Sequence, residues 1–482
     1  MSQPSIKKNY IYNTIYEVLL IICPIITAPY ISRIFGAEGI GIYSYTNAIS
    51  SYFIMFASLG VKSYGQREIA QNRDDKYKTS KLFWELELMC TSTTLLCIIA
   101  WGLLIFFSSN YSVYYAVLTI SLISTAFDVS WFFSGYEQYR LIVIRNSLVK
   151  IIGVVLLFLC VKEKNDLILY ITIISLTGLI GNISMWTYVF KFVEKVPFKE
   201  LDIKRHYKQT LVYFIPTIAT SIYTLLDKAM IGWITKDDYE NGYYEQATKL
   251  VNICKTLVFS INTVVSSRIS YLFSKNAHIE IKEKIYSTLN FVLMLAIPVS
   301  LGLISIAKNF VPLFFGEGYN KSTIIIYIMA PLIIVIGISN CLGSLYFTPS
   351  GQRARSNKAI VTGAIVNLCL NIFFIYYLKS IGAAISSVLA EIVITSLYLF
   401  MARNYIKIKR IIFMGWKYVL ASSIMLALLF FINLKIEKTS ICLVSQLIAG
   451  VVSYSMVLIL LRDAFFFSNL KKISKLLVRR KD

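Results

Sequence analysis

Charge is scarce in this chain. Only 15% of its 482 residues are Asp, Glu, Lys or Arg, against about a quarter in a soluble protein, and that shortage excludes a water-solvated globule of this size. Histidine is scarcer still: His206 and His278 are the two present, both in polar stretches, so zinc coordination and His-activated nucleophiles have little to build on. The eight cysteines include no C-x-x-C and most fall in apolar runs, which reads as small buried hydrophobes rather than disulfides or metal ligands. No stretch between apolar runs is long enough for a soluble nucleotide-binding domain. The string GEGYNKST at 316–323 has Asn320 where a phosphate loop needs a glycine before lysine, so ATP hydrolysis by that route is excluded. No cofactor and no metal is expected.

What remains is apolar. Hydrophobic residues make up 57% of the chain, in runs of roughly 18 to 25, each long enough to cross a hydrocarbon core as a helix. A transmembrane β-barrel would need shorter segments of alternating polarity. The pattern predicts an all-α polytopic membrane protein of about fourteen spans, or twelve if the last two are read differently. They lie near 11–34, 40–64, 82–107, 113–135, 146–161, 167–190, 209–234, 243–272, 286–307, 323–347, 357–377, 381–402, 416–433 and 441–461. The first run continues past signal-peptide length without a cleavage site and is expected to remain as a helix.

Lysine and arginine concentrate in the loops 67–81, 191–208 and 403–417 and in the tail 471–481, all on one side of such a topology. Positive loops stay in the cytoplasm, so both termini are expected there. The net charge of +22 then reports topology and attraction to anionic membrane lipids, and no nucleic-acid partner is called for.

A faint repeat divides the chain. GIYSYTNAI at 41–49 opens the second span much as GYYEQATKL at 242–250 opens the eighth, and FFSGYEQ at 132–138 resembles YFTPSGQ at 346–352. The expected organisation is a six-helix bundle in 1–195, a cytoplasmic linker in 196–208, a second six-helix bundle in 209–405, and two further helices with a basic tail in 406–482. Substrate sites of transporters commonly lie where such repeats meet.

Four spans carry polar stripes. In the eighth, Glu245, Lys249, Asn252, Thr256, Ser260, Thr263 and Ser267 recur at helical steps, and in the second a thinner series runs through Ser44, Asn47, Ser51, Ser58 and Lys62. The seventh adds Thr217, Thr220, Thr224 and Asp227 with Lys228 beside them, and Pro216 breaks it. The first has Asn13, Glu17 and Thr27, with breaks at Pro24 and Pro29. Such stripes are costly against lipid; they face either a partner helix or water, and the lysines favour a water-filled wall. Asp227 reads as a coupling ion or proton group or as the partner of Lys228 or Lys249. Glu85, Asp128, Lys150 and Lys255 read mainly as snorkelling groups, and Glu391 follows a small-residue packing face at 382–387.

The segment YISRIFGAEGIGIYS at 30–44 resembles the polysaccharide repeat-unit flippases, the Wzx-type branch of the multidrug/oligosaccharidyl-lipid/polysaccharide exporter superfamily. LGV at 59–61, YGQREIA at 64–70, LFFGEGY at 313–319 and IGAA at 381–384 extend the likeness over nearly the whole chain. The resemblance implies a V-shaped pair of six-helix bundles around a central cavity, lined by the first, second, seventh and eighth helices. It also implies alternating-access transfer of an undecaprenyl-pyrophosphate-linked oligosaccharide across the bacterial cytoplasmic membrane, in company with a polysaccharide polymerase and other assembly proteins. Arg33 matches the arginine of the family's R-[IV]-[FL]-G segment. The Arg-Asp pair that related lipid II flippases carry earlier in the first helix is replaced here by Thr27 and Ala28. On this reading Arg33, Lys62, Lys228, Lys249, Asn252 and Thr256 contact the headgroup, and Asp227 and Glu17 bind the coupling ion or proton. A cation-coupled drug exporter would favour acidic cavity groups. A membrane glycosyltransferase or polymerase would need a substantial outer loop, and none is present.

Overall fold

A computed structural model describes residues 6–435 and 439–478, without the side chains of some residues inside helices. The described residues form helices and no strands. In chain order they are α1 (Ile6–Ser58), α2 (Val61–Asn72), α3 (Lys76–Phe107), α4 (Ser112–Thr125), α5 (Ser130–Gly135), α6 (Tyr139–Cys160), α7 (Leu167–Val189) and α8 (Lys204–Thr235). They continue with α9 (Asp238–Ser274), α10 (His278–Phe315), α11 (Asn320–Met329), α12 (Leu332–Leu342), α13 (Arg353–Ala402), α14 (Ile408–Lys435), α15 (Thr439–Leu460) and α16 (Ala464–Val478).

Among the described residues, nine helices are long and apolar enough to cross a membrane, or ten if the bent pair α11 and α12 is one span. Two of the nine hold two of the expected spans each. Helix α1 is interrupted at Gly36, where φ 65° and ψ −176° is a backbone region open to glycine and closed to most other residues. Helix α13 is interrupted at Lys379. Both breaks fall between spans predicted from the sequence. The nine do not extend to α8 and α9, which contain residues outside the described ones.

The chain divides into two compact units, Met1–Gly242 and Tyr243–Asp482. Helix α8 packs within the first unit, where Gly60 sits so close to Thr210 and Phe214 that a Cβ would come within 2.8 Å of the Thr210 carbonyl. The core of this unit has two apolar clusters. One gathers Phe83, Trp131, Phe132 and Met185, and the other Phe35, Trp101, Leu118 and Tyr170. Helix α3 shows the membrane pattern plainly: Leu95, Leu96, Ile99 and Leu103 point outward, each more than half exposed, while Thr93, Thr94 and Trp101 point inward. The apolar face seeks lipid and the polar groups seek protein, the reverse of a soluble helix. In the second unit α10 is the central helix, packed by α12, α14 and α15.

Loop chemistry fixes the helix ends. The Asp75 carboxylate caps α3 by accepting from the Lys78 N–H at 3.0 Å, and that bond holds its carboxyl below the usual range. Glu38, just past the Gly36 break, accepts from Lys164 at 2.9 Å, which likewise lowers its carboxyl.

Glycines permit the closest approach in the first unit. A Cβ on Gly41 would lie 1.7 Å from the Asp238 carbonyl oxygen, and one on Gly242 would lie 1.9 Å from that of Ala37. The glycines that open the two repeated motifs are therefore in reciprocal backbone contact.

Candidate functional site

The predicted site residues fall into sets belonging to each unit. In the first, Arg33 stands exposed on α1, three residues before the Gly36 break. Lys62, at the start of α2, pairs with Asp128 at 3.0 Å while its own side chain stays 62% exposed. Asp227 on α8 is buried and Lys228 beside it is half-buried. The charge of Asp227 reaches Tyr52 on α1, whose hydroxyl is itself buried without a hydrogen-bond partner. The second and seventh spans thus come together at these two residues.

In the second unit Lys249 and Glu245 form an ion pair of 3.5 Å one turn apart on α9. Asn252 and Thr256 follow on the same face and are exposed, with the Thr256 hydroxyl donating to the Asn252 carbonyl at 2.9 Å. The side chains of Asn13, Glu17, Pro216, Thr217, Thr220, Thr224, Ser260, Thr263 and Ser267 lie outside the described residues.

Sequence reasoning missed a charged network where α2, α3 and α8 meet. Glu85, read as snorkelling, is fully buried. Its carboxylate accepts from the Asp202 N–H at 2.8 Å, Arg205 at 2.7 Å and His206 Nε2 at 2.8 Å. The other ring nitrogen of His206 bonds the Tyr64 hydroxyl at 2.9 Å, and Tyr64 also donates to Gln209. This network clasps the basic segment after 191 to the first bundle. Three further buried or half-buried charges, Glu87, Asp128 and Arg145, lie in the same unit. The signal for the acids was their place inside apolar runs, as in Trp84-Glu85-Leu86-Glu87-Leu88. In the second unit Glu391 is also buried and accepts from Ser339 at 2.8 Å, while the small residues before it pack so tightly that a Cβ on Gly382 would meet the Phe374 carbonyl at 2.0 Å.

No group of three metal-ligating side chains occurs among the described residues. The arrangement offers fixed charges and hydroxyls on helices, with Arg33 and Lys62 exposed; this suits binding an anionic polar group.

A protein of Escherichia coli (strain K12) named "Putative O-antigen transporter" is 25% identical over 405 residues, covering 83% of this chain and 97% of that protein. The structure of the lipid II flippase MurJ in an inward closed conformation superposes with a TM-score of 0.72 at 20% identity, covering 94% of this chain and 99% of MurJ. An inward-facing multidrug transporter of the MATE family and MOP superfamily gives 0.60 at 13% identity, covering 83% and 95%. At these identities the two structures establish a shared fold. Residues 6–273, more than half of the chain, match the polysaccharide biosynthesis protein family, and this multi-pass membrane protein belongs to that family.

Proposed function

We propose that the protein is a flippase that carries a lipid-linked oligosaccharide, built on undecaprenyl pyrophosphate, from the inner to the outer leaflet of the bacterial cytoplasmic membrane by alternating access. The observation that carries this reading is the set of cationic side chains Arg33, Lys62, Lys228 and Lys249 on helices of a membrane protein of the polysaccharide biosynthesis family. A pyrophosphate headgroup left bare in hydrocarbon costs several kcal/mol or more. Cationic and hydroxylic side chains, with Asn252 and Thr256 among them, replace its hydration. Asp227 and Glu17 are the groups proposed for a coupling ion or proton.

The lipid tail also has a place. A cavity of about 450 Å³ among α10, α14 and α15 is lined by Met294, Pro298, Val299, Met425, Leu447 and Val451, a surface suited to a hydrocarbon chain. Both termini and the 196–208 segment are cytoplasmic on this reading, and the product serves capsule, O-antigen or other exopolysaccharide assembly alongside a polymerase.

The test follows the lipid-linked oligosaccharide in cells. With Arg33→Ala or Lys249→Ala expressed at the parental level, it accumulates in the inner leaflet while its synthesis continues. Export at the parental rate in both variants would refute headgroup capture by these residues.

A further inference from the structure

Helix α3 buries two glutamates two residues apart, Glu85 at 0% and Glu87 at 4% exposure. Two residues turn a helix by about 200°, so the two side chains leave it on opposite sides. Glu85 is satisfied by the donors of Asp202, Arg205 and His206. Glu87 has no such set: its Oε1 is buried without a hydrogen-bond partner.

The charge that reaches Glu87 is of its own sign. Asp128, at the break between α4 and α5, is near enough to repel a second negative charge there. Asp128 is itself already satisfied, holding Lys62 at 3.0 Å through Oδ2 and the Ser130 N–H at 3.1 Å through Oδ1. A second cation, Arg145 on α6, donates to the neutral Asn182 at 2.6 Å and directs its charge at Asp128. Cys90 on α3 completes the ionisable groups around the pair. Lys62 and Arg145 thus both act on Asp128, and the charge that acts on Glu87 is that of Asp128.

A buried carboxylate without a donor needs a cation. A metal ion would take six or more oxygen ligands, whereas no three metal-ligating side chains converge here among the described residues. A proton needs a single oxygen, and Oε1 is unspent.

We propose that Glu87 is a proton-binding site of the first unit, separate from Asp227 and Glu17, and that its proton governs how firmly Asp128 retains Lys62. With the proton in place Lys62 answers Asp128 alone and its exposed ammonium is free to turn to an anionic group. Without it a second negative charge beside Asp128 holds Lys62 inward. By linkage, an anion that recruits Lys62 and the proton on Glu87 favour each other's binding. The second half of this proposal rests on the headgroup role given above to Lys62; the first half does not.

Two measurements on the reconstituted full-length protein test it. In the infrared spectrum, the wild type shows a carbonyl stretch of a protonated carboxylic acid that shifts in D₂O. Glu87→Gln lacks it, and Glu87→Asp moves it to the frequency of an aspartic acid. An identical band in wild type and Glu87→Gln overturns the proton site; should Glu87→Gln fail to fold, an unmoved band in Glu87→Asp does so equally. The second measurement uses farnesyl pyrophosphate as the probe. Its affinity for the wild type weakens more steeply with rising pH than its affinity for Glu87→Gln, where the neutral state is fixed. Equal pH dependence in the two proteins overturns the link between Glu87 and Lys62. Absence of any binding with the band intact counts against the headgroup reading and leaves the proton site standing.

Discussion

Replacing Gly41 with alanine tests the most demanding contact in the first unit. The added Cβ would fall 1.7 Å from the Asp238 carbonyl oxygen and 2.9 Å from the Gly242 nitrogen. Real contacts of this kind stay beyond about 3 Å, and the obstacle is backbone, which no rotamer change can clear. The start of α9 must therefore shift from α1 by more than an ångström, or the local helix ends must distort. Overpacking of this kind costs about 1–3 kcal/mol. Gly242→Ala, whose Cβ would meet the Ala37 carbonyl at 1.9 Å, should cost as much, and the double variant less than the two single costs added, because one displacement relieves both clashes. Gly102 and Gly178 have nothing within 4 Å of an added Cβ; their alanine variants should be neutral or gain up to about 1 kcal/mol from helix propensity. Thermal unfolding in one detergent, with all five variants beside the parent, reads these differences directly. Equal melting temperatures for Gly41→Ala and Gly102→Ala would refute the contact.

Other consequences can be checked with single substitutions. Glu85→Ala strands the buried His206 and the Arg205 guanidinium and should destabilise by about 3–5 kcal/mol; Arg205→Ala, removing a side chain 45% exposed, should cost about 1 kcal/mol or less, and the reverse order in unfolding midpoints would contradict the network. Lys249→Ala should abolish export at parental abundance; loss of the protein itself would make its pair with the buried Glu245 structural. Single cysteines at Asn252 and Thr256 should react with a maleimide and those at the buried Val251 and Val258 should not, so uniform labelling would refute the two-faced α9. A cysteine at Lys199 should be shielded from an impermeant reagent in intact cells, and its labelling would invert the topology.

Much of the fold was legible because membrane insertion writes itself into local sequence. A span needs a run of apolar residues whatever it later packs against, so the runs predicted the helices, and the breaks at Gly36 and Lys379 fall where polarity or glycine interrupts them. The polar face of α9 was legible for the same reason: Glu245, Lys249, Asn252 and Thr256 share it by periodicity alone. The packing partners of α8 were not, since they come from segments distant in sequence. Hydropathy places α8 as a helix and says nothing of the Gly60 contact or the Tyr64–His206 bond that bind it to α2.

The same limit separates Glu85 from Glu87. In sequence they are alike, acids on either side of Leu86 in one apolar run, and the snorkelling reading given to Glu85 fits Glu87 as well. Helical geometry sends them to opposite sides, and the partners waiting there come from distant segments: Asp202, Arg205 and His206 for one, Asp128 for the other. One acid is neutralised by donors carried in with the basic segment, so its charge stabilises the clasp; the other meets a like charge, so its charge must be answered from outside the protein. Chemically identical residues thus take a structural and a titrating role according to which chain segment folds against them. The distinction was invisible to composition and spacing because it resides in pairings more than a hundred residues apart for Glu85 and about forty apart for Glu87.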